Sequence, residues 1–132
     1  MNTRLKAAFR VLFGLLLLAW VGLPFTGWHP PPVAPQAQAL RDALRGSGYI
    51  FPAVLFVYFI VGLSYLSGRY VALASVVLFP VSLNILMFHT FLNPNAHSLM
   101  FAGLLFLANL GMLWLHRDAY AELLKARRPP GP

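Results

Sequence analysis

Three long stretches of this 132-residue chain contain no Asp, Glu, Lys or Arg: between Arg10 and Arg41, between Arg45 and Arg69, and between Arg69 and Arg117. A helix rises 1.5 Å per residue, so about 20 apolar residues cross a hydrocarbon layer about 30 Å thick. Four runs meet that requirement: Phe9 to Gly27, Tyr49 to Ser67, Tyr70 to Leu92 and Ala96 to His116. A water-soluble globule needs a polar exterior, and a chain with 59% hydrophobic and 10% charged residues cannot supply one. The expected fold is all-α: an integral membrane four-helix bundle, one transmembrane domain over residues 1–132, with membrane lipids as its first partners.

Breakers mark the edges of these runs. Gly27 and Pro30-Pro31-Pro32 close the first, Pro52 sits in the first turn of the second, and Asn93-Pro94-Asn95 separates the last two. Pro80 lies inside the third run, where it removes a backbone hydrogen bond and predicts a kink, with Ser75 or Ser82 near enough to serve the freed carbonyl. Between the first two runs, Pro30 to Pro35 reads as a stiff extended segment. Gln36 to Arg45 reads as a short amphipathic helix on the outer bilayer surface, with Ala37, Leu40 and Leu44 on one face. Arg4, Lys6 and Arg10 before an apolar run, followed by Ala37-Gln38-Ala39, imitate a secretory signal. The run continues to Gly27 and a proline block intervenes, which argues against cleavage.

The net charge of +7 comes from basic residues just outside the apolar runs. They line no polar segment with interleaved aromatics, so no nucleic-acid partner is expected. An inside N-terminus puts Arg4, Lys6, Arg10, Arg69, Arg117, Lys125, Arg127 and Arg128 in the cytoplasm and only Arg41 and Arg45 outside, which predicts two cytoplasmic termini. Residues 117–132 then form a basic tail in which Glu122 pairs with Lys125 and Pro129-Pro130-Gly131-Pro132 cannot be helical. With no cysteine, disulfides, thiolate metal sites, haem attachment and thiol catalysis are all excluded.

Polar groups inside hydrocarbon are costly, so their positions carry information. Tyr58, Gly62, Tyr65 and Arg69 share one face of the second run. Ser75, Ser82 and His89 recur every seven residues on the third, and Ala102, Asn109 and His116 do so on the fourth, with Ser98 one turn before. These stripes suit packing between helices. They also suit a pocket lined by Tyr58, Ser82, Asn84 and Asn109, because Tyr58 and Asn84 both fall roughly 12 to 14 Å below the outer boundary and so can meet. His29, His89 and His97 gather near the outer edge, but no HxxxH pair and no carboxylate accompanies them, so no metal is expected. Without an Asp, Glu or Lys in any span there is no carboxylate relay, no hydrolytic pair and no Schiff-base lysine. Ser82 and His89, two turns or about 10 Å apart, make no nucleophile and base. Catalysis by the chain alone is not expected.

Several segments carry a family resemblance. The proline-rich connection and Gly48-Tyr49-Ile50-Phe51-Pro52, then Gly68-Arg69-Tyr70-Val71-Ala72-Leu73-Ala74, then Pro80-Val81-Ser82-Leu83-Asn84-Ile85-Leu86-Met87-Phe88-His89-Thr90-Phe91-Leu92, and Trp114 to Leu124 resemble the DoxX-like family of small bacterial membrane proteins. Asn84 and His89 stand where that family usually carries Asn and His. The resemblance implies a four-helix bundle in the inner membrane, near terminal quinol oxidase and thiosulfate-to-quinone electron transfer. The chain departs from the family pattern at Tyr58, where members commonly have an acidic residue, and around Leu23 and Pro24, where they often have Lys or Asn. The favoured expectation is a noncatalytic subunit or scaffold, linked to a quinone-dependent redox system and seated against a membrane-protein partner, with no cofactor of its own. The alternative is a binder of a hydrophobic small molecule, quinone-like or lipid, held by Asn84, His89, Tyr58, Ser82 and Asn109.

Overall fold

A computed structural model describes residues 1–127 and 129–131. Arg128, counted above among the inner charges, and Pro132, counted in the nonhelical end, lie outside the described residues. Helix α1 (Thr3–Gly22) starts beneath Asn2, whose Oδ1 accepts from the Arg4 N–H at 2.6 Å and the Leu5 N–H at 3.4 Å. That cap, followed by good helix formers, carries the helix six residues ahead of the apolar run that begins at Phe9. Pro24 tightens the end into a 3₁₀ turn over Leu23–Thr26, closed by Gly27 at φ 79°. Helix α2 (Pro35–Gly46) opens on a proline whose missing N–H costs nothing in a first turn. Helix α3 (Ile50–Ser67) ends on Gly68 in the left-handed region, φ 73°. Helix α4 spans Val71–Phe91, and α5 (Ala96–Leu115) is capped by Asn95 Oδ1, which accepts from the Ser98 N–H at 2.9 Å. A second 3₁₀ turn, Arg117–Tyr120, follows.

The fold is all-α, with no strand among the described residues. Helix α1 packs on α3, α3 on α4 and α4 on α5, around a core that includes Phe13, Leu17, Val61, Tyr65, Leu78 and Met112. The α1–α3 crossing is close because two glycines meet there. A Cβ on Gly14 would stand 3.0 Å from the Gly62 carbonyl oxygen, and one on Gly62 would stand 2.8 Å from Leu18 Cγ. The first of these helices with its 3₁₀ extension, and α3, α4 and α5, are each long and apolar enough to cross a membrane. Their outer surfaces carry Leu12, Phe56, Leu104 and Leu107, all more than half exposed on the bare chain. Surfaces of that kind belong against acyl chains, and the four helices are those of a multi-pass membrane protein.

Two local expectations are corrected. The face that α2 turns inward is Ala37, Arg41 and Leu44, whereas Leu40 is exposed. Arg41 fits there because its guanidinium reaches back to donate to the Pro31 carbonyl at 3.4 Å, so the charged head is not stranded. Pro80 lies inside α4, and neither nearby serine serves the carbonyl of Val76. Ser75 Oγ donates to the Val71 carbonyl at 2.8 Å, and Ser82 Oγ lies 3.0 Å from the Phe79 carbonyl and 2.8 Å from Asn109 Oδ1.

Candidate functional site

The polar stripes of α3, α4 and α5 converge at mid-bundle. Tyr65, Ser75, Ser82 and Asn109 are each fully buried. Asn109 Nδ2 donates to the Ser75 carbonyl at 3.0 Å while its Oδ1 accepts from Ser82 Oγ, so one α5 amide straps two turns of α4 on either side of Pro80. Tyr65 from α3 stands 2.9 Å from Ser75 Oγ. Since Ser75 gives its proton to Val71, Tyr65 donates to Ser75. Every side chain of this cluster spends its hydrogen bonds on another helix or on its own backbone, which leaves a packed three-helix junction with no polar atom aimed at an empty space.

Of the five proposed ligand-binding residues, only Ser82 and Asn109 meet. Tyr58 is buried in the core on α3, and its hydroxyl has no hydrogen-bond partner among the described residues. Asn84 shares its depth but not its direction: it is exposed on the outward face of α4 with Leu73, Val76, Pro80 and Met87, and its amide is likewise unpartnered among the described residues. His89 lies in the last turn of α4, half-buried, with Nδ1 sealed from solvent and without a partner among the described residues. The charge of Arg41, from α2, acts on its ring. Burial holds the Arg41 guanidinium below its ordinary range, Arg45 adds to that effect, and Asp42 opposes it.

The same end of the bundle holds a latch that sequence reasoning treated as a mere breaker. Asn93 is 5% exposed, accepts from the Ala34 N–H at 3.1 Å and donates to Ser98 Oγ at 3.1 Å. It thereby ties the entry of α2 to the turn between α4 and α5. Arg45 lies over the Phe51 ring at 5.3 Å and holds the exit of α2 against α3.

No protein-family model, curated protein or solved structure matches this chain. The site therefore rests on its own chemistry. Among the described residues no three His, Asp or Glu side chains gather closely enough to hold a metal ion; His29 and His97 do not join His89.

At the opposite end, Arg10, read from the sequence only as a topology charge, makes a contact between helices. It sits on the same stripe of α1 as the buried Phe13, Gly14 and Leu17. Its Nη1 donates to the Tyr65 carbonyl at 2.5 Å, so a cation stands at the C-terminal end of α3 where the helix dipole favours it. A Cβ on Gly68 would fall 2.6 Å from that nitrogen, so another residue there would displace the guanidinium in addition to straining the positive φ.

Proposed function

We propose that this chain is a noncatalytic subunit or scaffold in a bacterial inner membrane, with both termini cytoplasmic, of the DoxX-like kind that accompanies quinone-dependent redox systems. The observation that carries the subunit reading is Asn84. It lies seven residues before the end of α4, about 10 Å into the span. There an exposed amide faces hydrocarbon among apolar neighbours. An unpartnered amide in lipid is costly, and a polar group or backbone carbonyl on a helix of another membrane protein relieves that cost. The self-satisfied junction of Tyr65, Ser75, Ser82 and Asn109 supports the same reading, because it provides rigidity without a free reactive group. The Pro80 to Leu92 stretch supports the family assignment, and the eight-to-two distribution of Lys and Arg supports the orientation.

A photo-cross-linking residue in place of Met87, tested in native membranes, is expected to capture another membrane protein, and Asn84→Leu is expected to abolish that adduct. Adducts with lipid alone would remove the subunit reading. The cysteine-free chain also permits a clean topology test. A membrane-impermeant maleimide on intact cells should label Ser47→Cys and spare Lys125→Cys, and the reverse pattern would overturn the orientation.

One observation favours a quinone-like ligand as a second reading, placed at the outer rim: the buried, unpartnered Nδ1 of His89 beside Arg41. With its proton on Nδ1, the ring can donate to a ligand carbonyl. Quinone retained through mild purification should fall in His89→Phe; equal content in both proteins would end this reading.

A further inference from the structure

The basic end of the bundle contains a crevice of about 310 Å³ between the first turns of α1, the α3–α4 turn and the end of α5. Lys6, Arg10 and His116 line it, and Val71, Met112 and Leu115 give it an apolar floor. No acidic side chain lines it: Glu122, at the same end, pairs with Lys125 at 2.6 Å, and Asp118 is not part of the wall. Three groups there have capacity for a ligand. The Lys6 ammonium has no partner among the described residues. Arg10 uses one Nη1 bond on Tyr65 and keeps the rest of its donor fork. His116 bonds the Met112 carbonyl through Nδ1 at 2.9 Å, which fixes the ring and leaves Nε2 for another contact. The crevice wall also includes Val71, the first residue of α4, a helix whose first turn carries no side-chain cap, so its backbone N–H groups add donors at the positive end of a long dipole.

We infer that this crevice binds a phosphate group, with Lys6 and Arg10 as its cations and His116 Nε2 as a further polar contact. A phosphate matches the site because it is anionic and multiply accepting, and the three residues line one crevice. The apolar floor accommodates the first methylenes of an acyl chain, so the headgroup of an anionic phospholipid uses the whole crevice, whereas a free phosphate uses only its rim. The inference is independent of the subunit reading, since it concerns the opposite end of the bundle from Asn84.

The test is native mass spectrometry of the full chain in mild detergent, with phosphatidylglycerol and phosphatidylcholine of identical acyl chains offered in separate arms and inorganic phosphate in a third. Lys6→Gln and the double variant Lys6→Gln/His116→Gln are compared with the unaltered protein. Arg10 is left in place because it also joins α1 to α3. One phosphatidylglycerol should be retained in preference to phosphatidylcholine, with affinity falling about fivefold in Lys6→Gln and further in the double variant. Retention unaffected by millimolar phosphate assigns the site to a lipid headgroup. Saturable phosphate binding without preference between the two lipids assigns it to a soluble phosphate compound. Absence of both, or equal anionic-lipid retention by the double variant, overturns the site. Should the double variant fail to fold, the three arms on the unaltered chain still decide.

Discussion

The side chains that matter most are those whose hydrogen bonds cross between helices. Asn109 joins α5 to two turns of α4, so Asn109→Ala should lower stability by about 1–2 kcal/mol, the upper part of the range for polar contacts in membranes. Reversible unfolding in mixed micelles checks this, and a cycle with Ser82→Ala isolates the direct bond. Gly62→Ala should cost about 1–3 kcal/mol, because the added methyl meets Leu18 at a tight helix crossing. Thermal unfolding in detergent reads it. Outside the spans, burial raises the Tyr120 hydroxyl above its ordinary range. Tyr120 donates to the Ala72 carbonyl at 2.7 Å. A phenol raised in the folded state contributes fully below its unfolded value of 10.0 and loses that contribution as pH rises through the folded one. Alkaline destabilisation should therefore be smaller in Tyr120→Phe than in the unaltered chain. The serines and Asn109 were legible in the sequence because seven-residue spacing keeps a helical face. Asn84 misleads a depth argument: it matches Tyr58 in height, but two residues beyond Ser82 is about 200° around the helix, the opposite side.

Among the elements, α2 shows how far pattern reaches. Its existence and near-correct bounds follow from polar spacing after a proline block, since Pro35–Gly46 departs from Gln36 to Arg45 by one residue at each end. Its inward face does not follow, because a hydrophobic pattern assigns Arg41 to water and cannot see the Pro31 carbonyl that receives it. Nor does the pattern reveal that Asn93 anchors this helix from 59 residues away. Asn93→Ala removes the acceptor for the Ala34 N–H and leaves the four spans intact. Amide exchange across residues 30–46 should then accelerate several-fold, with α4 and α5 unchanged, and uniform exchange across both proteins would show that α2 is held by other contacts. The kink expected at Pro80 was a statement about a missing N–H. What the pattern does not reveal is that Asn109 of α5 joins the turns on either side of Pro80, through Ser82 Oγ and the Ser75 carbonyl.

At the scale of the whole molecule, the architecture was legible because charge is absent where the spans run, and lipid tolerates few other backbones there. The two polar clusters at its ends were not, since each assembles residues from separated segments: His89 with Arg41 and Asn93 at one end, Lys6, Arg10 and His116 at the other. The claim underlying all of this is that the apolar outer surface meets acyl chains. Leu104 tests it well, because it lies mid-way along α5 and is 59% exposed on the bare chain. In native membranes, Leu104→Cys should resist a water-soluble maleimide that labels Ser47→Cys rapidly, and should react only once the membrane is dissolved and the chain denatured. Equal labelling of the two positions in intact membranes would contradict the account.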